Sequence, residues 1–304
     1  MNYKKIIRNQ NLRFMILKFL SFIPDSVMVK WQYWIKMGRK LNLSSPKRFS
    51  EKLQWYKVYY RNPIMSKCVD KYEVREYLKN KGLSYILPNL YGIYNNAKEI
   101  DFISLPQKFV LKTTDGTGGQ NVLICRDKSL LNWDETITLV NSWLNKKNID
   151  AGREWAYTKM KSSRIIIEEY LENTKNPNAG IQDYKFFCFS GNPFMVCVDS
   201  NRFINHKRNI YSISWKKINV RFNEYPYNEE FDEKPKNYDE MLKIVRELSA
   251  EFPHVRVDLY NVDGKIYFGE LTFYPSSGYC TFDPDEFDFI LGKQFILPTN
   301  FLRK

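Results

Sequence analysis

The residues best suited to chemistry fall in one segment, Val255-Arg256-Val257-Asp258-Leu259-Tyr260-Asn261-Val262-Asp263-Gly264-Lys265-Ile266-Tyr267-Phe268-Gly269-Glu270-Leu271-Thr272-Phe273. Period-two alternation puts Val255, Val257, Leu259, Leu271 and Phe273 on one face of a hairpin, leaving Arg256, Asp258, Glu270 and Thr272 on the other. Two carboxylates converging on one face repel by about 4 kcal/mol at ~4 Å in an effective dielectric of ~20, so they share a proton or hold a cation. With oxygen donors alone, that cation is magnesium. Taken in isolation, the same residues also suit plain ion pairing on a solvated sheet face. Register decides between them. A three-residue loop with Gly264 as its bulge is expected, because a two-residue loop would send Asp258 and Glu270 to opposite faces.

A second segment, Phe109-Val110-Leu111-Lys112-Thr113-Thr114-Asp115-Gly116-Thr117-Gly118-Gly119-Gln120-Asn121-Val122-Leu123-Ile124, reads as strand, glycine-rich loop and strand. Its three glycines let successive backbone amides turn toward one anion, as phosphate binding requires, and Lys112 can add an ammonium there. A flexible hairpin has the same composition. The loop lacks the Gly-Lys-Ser/Thr of a P-loop and the helix that a dinucleotide fingerprint opens, so both of those folds are disfavoured. A third segment, Arg164-Ile165-Ile166-Ile167-Glu168-Glu169-Tyr170-Leu171, is a buried strand that stops at polar residues. Such an end offers backbone groups to a purine held between apolar walls. The stretch Arg202-Phe203-Ile204-Asn205-His206-Lys207-Arg208 is a candidate reader of an anionic substrate, or a solvated loop.

The elements that must position these residues alternate in kind, giving an α+β chain. Helices are expected over 1–23, 26–41, from Ser50 as N-cap, and over 70–80, 133–145 and 238–250, the last with Met241, Ile244, Val245 and Leu248 as a core stripe. Strands are expected over 85–94, 109–112, 121–125, 164–167, 184–189, 194–198, 255–261 and 266–273, with Ser190-Gly191-Asn192-Pro193 turning one hairpin and Asp263-Gly264 another.

Composition narrows the partners. The net charge is +13, but residues 1–61 hold 14 Lys and Arg against two acids, so the rest is nearly neutral and carries no broad nucleic-acid surface. The basic, amphipathic 1–23 stretch suits an anionic membrane surface, or packing on the body of the protein. Five cysteines without paired spacing argue against disulfides and structural zinc and for a reducing, cytoplasmic setting. With only His206 and His254 available, a metal would be held by carboxylates.

In order along the chain, phosphate loop, hinge strand and carboxylate pair resemble the ATP-grasp superfamily, over most of the sequence. Lys112 with Gly116, Thr117, Gly118 and Gly119 looks like the lysine and flexible loop over a triphosphate. Glu168, Glu169, Tyr170 and Leu171 look like the adenine-contacting hinge, and Lys185 like a basic residue near the nucleotide. Asp258 and Glu270 match the metal-ligand positions, and Arg256 that of a phosphate-contacting arginine. Many members place Asn where this chain has Thr272, a poorer ligand, which leaves a second magnesium without support. Within the superfamily the chain is similar to the teichuronopeptide-type (TupA-like) group encoded with surface-polysaccharide genes. The matching runs are Phe49-Ser50-Glu51-Lys52-Leu53-Gln54-Trp55, Asp70-Lys71-Tyr72, Leu105-Pro106, Asp183-Tyr184-Lys185-Phe186 and Glu270-Leu271-Thr272-Phe273-Tyr274-Pro275.

The resemblance implies two α+β lobes with mainly antiparallel sheets clasping the nucleotide, behind an N-terminal helical segment. The corresponding divisions are 1–60, 61–108, 109–171 and 172–304. It implies ATP and Mg2+ as cofactors, catalytic roles for Arg256 and Lys185, and metal ligation by Asp258, Glu270 and Thr272. The implied reaction joins an acid, such as a uronic acid of a surface polysaccharide, to an amine or amino acid through an acylphosphate. Phosphate transfer to a hydroxyl, glycosyl transfer and a non-enzymatic membrane scaffold are the competing readings.

Overall fold

A computed structural model describes residues 15–17, 19–116, 118–144, 152–160, 162–223 and 225–298. Most of the helix expected over 1–23, and Thr117, lie outside the described residues. After a 3-10 turn, Leu20–Phe22, come helices α1 (Asp25–Met37), α2 (Phe49–Tyr59), α3 (Pro63–Cys68) and α4 (Val74–Asn80). Gly38 ends α1 at a φ of 68°, a left-handed cap that a side chain would disfavour. Ser50, expected to cap α2, lies inside its first turn instead. The cap is built by Glu51, whose carboxylate accepts from the amides of Lys47 and Arg48 at 2.9 and 3.1 Å. Ser50 is taken up by Asp288, which accepts from its amide at 2.8 Å and its hydroxyl at 2.6 Å.

The small lobe is a four-stranded antiparallel sheet of β1 (Leu90–Tyr94), β2 (Phe109–Thr113), β3 (Val122–Cys125) and β4 (Ile165–Glu169), in the order β1-β4-β2-β3. Its inner face, with Phe109, Leu111, Ile165 and Ile167, closes a core of its own against Val140 and Trp143 of α5 (Trp133–Leu144). The apolar run 85–94 is not one strand. A 3-10 turn, Ser84–Ile86, precedes Pro88, whose missing amide cannot serve a ladder, and β1 begins only beyond it. A short helix, α6 (Trp155–Thr158), precedes β4.

The large lobe is a five-stranded antiparallel sheet of β5 (Asp183–Phe189), β6 (Asn192–Ser200), β7 (Lys207–Ser212), β9 (Val255–Val262) and β10 (Lys265–Thr272), in the order β10-β9-β5-β6-β7. A two-stranded sheet pairs β8 (Arg221–Phe222) with β11 (Phe282–Asp283). Helix α7 (Tyr238–Ser249) lays Met241, Ile244, Val245 and Leu248 on one face of the large sheet, beside Phe186, Val257 and Leu259. Helix α8 (Phe287–Gln294) packs on α2, and α1 and α2 share this core through Val29, Tyr33, Phe49, Leu53 and Tyr56. Burying each such large side chain contributes roughly 1.5–3 kcal/mol, which makes the helical N-terminal region structural to the large lobe. All five cysteines are free and buried. Among the described residues, no helix is long and apolar enough to cross a membrane.

Candidate active site

Strand register assembles the site. On β5, Asp183 and Lys185 alternate with Tyr184 and Phe186, so the charged pair faces away from α7. Lys185 lies opposite Asp258 on β9, Asp258 opposite Glu270 on β10, and Arg256 opposite Thr272. On the other side, Asp183 faces Asp199 of β6, which faces Arg208 of β7. Directly opposed residues in antiparallel strands project to the same side, so these side chains share one face of the sheet.

The convergence of Asp258 and Glu270 is achieved by a different device from the expected loop. Asp263 and Gly264 form a two-residue turn with φ of 51° and 84°, and Lys265 pairs directly with Val262. The odd residue is absorbed further along, at a bulge between Phe268 and Glu270. The bulged residue is Gly269, where an added Cβ would stand 3.0 Å from the carbonyl oxygen of Asp258 and 3.3 Å from the Tyr260 ring. One extra residue there lets Phe268 face the core while Glu270 still lies opposite Asp258.

Arg256 ties the cluster together. Its Nε donates to Asp258 Oδ1 at 2.7 Å, and its Nη2 donates to Asp258 Oδ2, Glu270 Oε1 and Thr272 Oγ1 at 2.6, 2.8 and 3.0 Å. Lys185 donates to Asp258 Oδ2 at 2.8 Å and also to Asp183. Asp258 is 1% exposed, whereas the Glu270 side chain is 46% exposed and opens to the cleft. Burial works against the Glu270 charge, but Arg256, then Lys185 and Lys71, outweigh it and hold its carboxyl at about 2. Burial likewise pushes Asp183 above the usual carboxylate range. The buried Asp183 Oδ1 has no hydrogen-bond partner among the described residues.

The small lobe meets this face from the other side of the cleft. A small cavity is lined by Gly116 of the glycine loop, by Lys71 and Tyr157 at the margin of the large core, and by Gly269 and Glu270 of the hairpin. Lys71 donates to the Gly116 carbonyl, and its amide donates to Thr114 O at 3.0 Å, which docks the Asp70–Glu73 turn on the base of the glycine loop. Gly118 and Gly119 have φ of 60° and 75°. A Cβ at Gly119 would approach Arg202 Nη2 to 3.9 Å, so the loop reaches across to the large lobe. On β2 and β4, Lys112 and Glu168 share a face through the register Val110 to Glu168, and their side chains pair at 2.6 Å. Arg75 of α4 joins Glu168 at 2.9 Å. Glu169 ends β4, and Tyr170 and Leu171 follow it, half-buried, where the chain leaves the small sheet.

The segment 202–208 divides in two. Arg208 is buried and donates to Asp199 from Nε at 2.5 Å and Nη2 at 2.6 Å, so it is committed to the fold and does not read a ligand. Arg202 is 3.4 Å from Asp183 and stands beside Gly119. Sequence reasoning did not assign site roles to Lys71, Arg75, Tyr157 or Asp183. Lys71 and Asp183 lie within motifs that had been singled out, and Asp183 also keeps period with Lys185. For Arg75 and Tyr157 no local signal exists, since only the tertiary fold brings them to the cleft.

Among the described residues, no group of three or more His, Cys, Asp and Glu is arranged to hold a metal. Asp258, Glu270 and Thr272, two carboxylates and a hydroxyl, are the oxygen donors that would hold a hard cation if one bound here.

Two lobes with antiparallel sheets, a glycine-rich hairpin on one and facing carboxylates with Lys and Arg on the other, define an ATP-grasp protein. The TupA-like ATPgrasp family model matches residues 51–296, and the chain belongs to that family. Among solved structures it is similar to D-alanine–D-alanine ligase from Bacillus anthracis, at 18% identity and a TM-score of 0.40, covering 74% of this chain and 64% of that one. It is also similar to L-amino acid ligase from Bacillus licheniformis, at 16% identity and a TM-score of 0.44, covering 72% and 46%. D-alanine–D-alanine ligase from Helicobacter pylori matches at 14% identity and a TM-score of 0.45, covering 82% and 68%. The chain thus spans less than two thirds of the length of the first two. No curated protein matches it.

Proposed function

We propose that the chain is an ATP-dependent carboxylate–amine ligase. The observation that carries this reading is the bulge-set pairing of Asp258 with Glu270, neutralised by Arg256 and Lys185 and facing Gly116 and Lys71 across a shared cavity. Lys112, Lys71 and the glycine loop of residues 116–119 bind the triphosphate in this scheme. The end of β4, Glu168 to Leu171, holds the adenine. Asp258 and Glu270, with Thr272 as a weaker neutral donor, hold magnesium. That ion supplies charge neutralisation to the phosphate oxygens.

In the proposed reaction, an oxygen of the acid substrate attacks the γ-phosphorus, the bond from that phosphorus to the β–γ bridging oxygen breaks, and ADP leaves. The amine nitrogen then attacks the acyl carbon, the bond from that carbon to the phosphate oxygen breaks, and phosphate leaves as the amine loses a proton. In this scheme Arg256 and Lys185 act by charge and position, since both are already held in place by Asp258. Family membership supports a surface-polysaccharide acid, such as a uronic acid, with an amino acid as amine. This reading puts the chain in the cytoplasm, where ATP is supplied.

The test is calorimetric titration with ATP and Mg2+, followed by an ADP-release screen of sugar acids paired with amino acids. Binding of Mg·ATP, and ADP release that needs both an acid and an amine, are expected. Consumption of a sugar nucleotide without ATP turnover would overturn the reading in favour of glycosyl transfer.

A further inference from the structure

The outer face of α1 plays no part in the cleft. Its inner stripe, Met28, Val29, Gln32 and Tyr33, is buried, with Tyr33 bonded to Ser50 at 2.8 Å and Gln32 accepting from Tyr279 at 2.8 Å. The opposite stripe, Val27, Trp31, Trp34 and Ile35, is also apolar and also at helical spacing, yet Trp31 is 58% and Trp34 62% exposed. The 3-10 turn Leu20–Phe22, directly before α1, adds Phe22 at 76% exposed, edge to face with Phe19, which is 77% exposed. Arg153 locks this turn to the helix. It donates to the carbonyls of Leu20 and Ile23 at 2.8 and 3.1 Å and to the Asp25 carboxylate at 2.9 Å. The exposed aromatics are therefore held on a fixed joint.

Charge says what covers this face. Residues 1–61 carry all but one of the thirteen net positive charges of the chain; Arg39 and Arg48 pair with Asp285 and Lys57 is buried, whereas Lys30, Lys40 and Lys47 are exposed. A second copy would bring the same positive charge against itself, whereas an anionic surface is attracted by it. Indole rings combine an apolar body with one N–H donor, a composition suited to the depth of lipid headgroups. We propose that α1 and the turn before it dock the chain on an anionic phospholipid bilayer, with Trp31 and Trp34 seated at headgroup depth and the lysines on lipid phosphates. Docking there uses none of the residues assigned to the nucleotide cleft.

The test uses the full-length chain and vesicles of phosphatidylcholine, alone or mixed with phosphatidylglycerol. Co-sedimentation and a blue shift of tryptophan emission are expected only with the anionic lipid, weakening as salt is raised. The double variant Trp31→Ser/Trp34→Ser is expected to lower partitioning on the order of tenfold or more, with an unchanged melting midpoint because both rings are exposed. Lys30→Glu/Lys40→Glu is expected to weaken binding to anionic vesicles and to leave melting unchanged. Binding that ignores lipid charge, or that survives the tryptophan substitutions, overturns the proposal. So does a concentration-dependent dimer that the tryptophan variant dissolves, since the face would then belong to a second copy.

Discussion

Glu270→Gln is the cleanest probe of the candidate site, because Glu270 is the one member of the carboxylate pair that the fold can spare. Its side chain is 46% exposed and is held by Arg256 Nη2 and Thr272 Oγ1, each at 2.8 Å. Arg256 is itself buried but keeps both of its bonds to Asp258, and Glu270 opens to the cleft, so the exchange should cost about 1 kcal/mol and lower the melting midpoint by about 2–4 °C. Against a divalent cation the same charge weighs far more. At ~4 Å and an effective dielectric of ~20, a carboxylate attracts a doubly charged ion by about 8 kcal/mol before desolvation is subtracted. Even a third of that corresponds to a loss on the order of 100-fold in magnesium-dependent nucleotide affinity. The assay is calorimetric titration of parent and variant with a non-hydrolysable ATP analogue at several Mg2+ concentrations, alongside thermal melts. An affinity within about threefold of the parent, with the same magnesium dependence, would refute the assignment of the hairpin as the metal site.

The partner carboxylate behaves differently: Asp258 is 1% exposed and neutralises both Lys185 and Arg256, so Asp258→Asn should cost about 3–5 kcal/mol of stability, read as a lowered urea midpoint without any ligand. Gly269→Val would add a Cβ only 3.0 Å from the Asp258 carbonyl oxygen and 3.3 Å from the Tyr260 ring; a destabilisation of about 1–3 kcal/mol, with weakened Mg·ATP binding, is expected from melts and calorimetry. Lys112→Met leaves Glu168 with Arg75 as its remaining partner, and should weaken ATP binding about tenfold by titration with little change in melting. His254 is buried among Phe49, Phe189 and Phe295, with Nδ1 2.9 Å from the Cys188 carbonyl, and burial lowers its pKa to about 3. Because the folded value lies below the unfolded one, its contribution to stability is intact above about pH 6.5 and is lost as pH falls toward 3. His254→Phe should therefore flatten the pH dependence of stability, by about 2 kcal/mol between pH 7 and pH 5 in urea melts.

Much of this site could be read from spacing alone. Alternation is a property of the strand backbone itself, so the faces of Arg256, Asp258, Glu270 and Thr272 were legible, as were the core stripe of α7 and the strands on either side of the glycine loop. The turn at Asp263-Gly264 was legible for the same local reason, since only residues tolerant of positive φ fit it.

Where the odd residue of the hairpin goes was not legible. A bulge at Gly269 and a longer loop at Gly264 satisfy the same parity, and the choice rests on how Phe268 and Leu271 both reach the large core. Ser50 was misassigned for a related reason: its partner, Asp288, lies 238 residues away in α8, which leaves no trace near Ser50 in the sequence. Local sequence thus determined which side chains share a strand face. Tertiary packing decided which faces meet, because Lys71, Arg75, Tyr157 and Arg202 reach the cleft only when two separate cores are formed and set against each other.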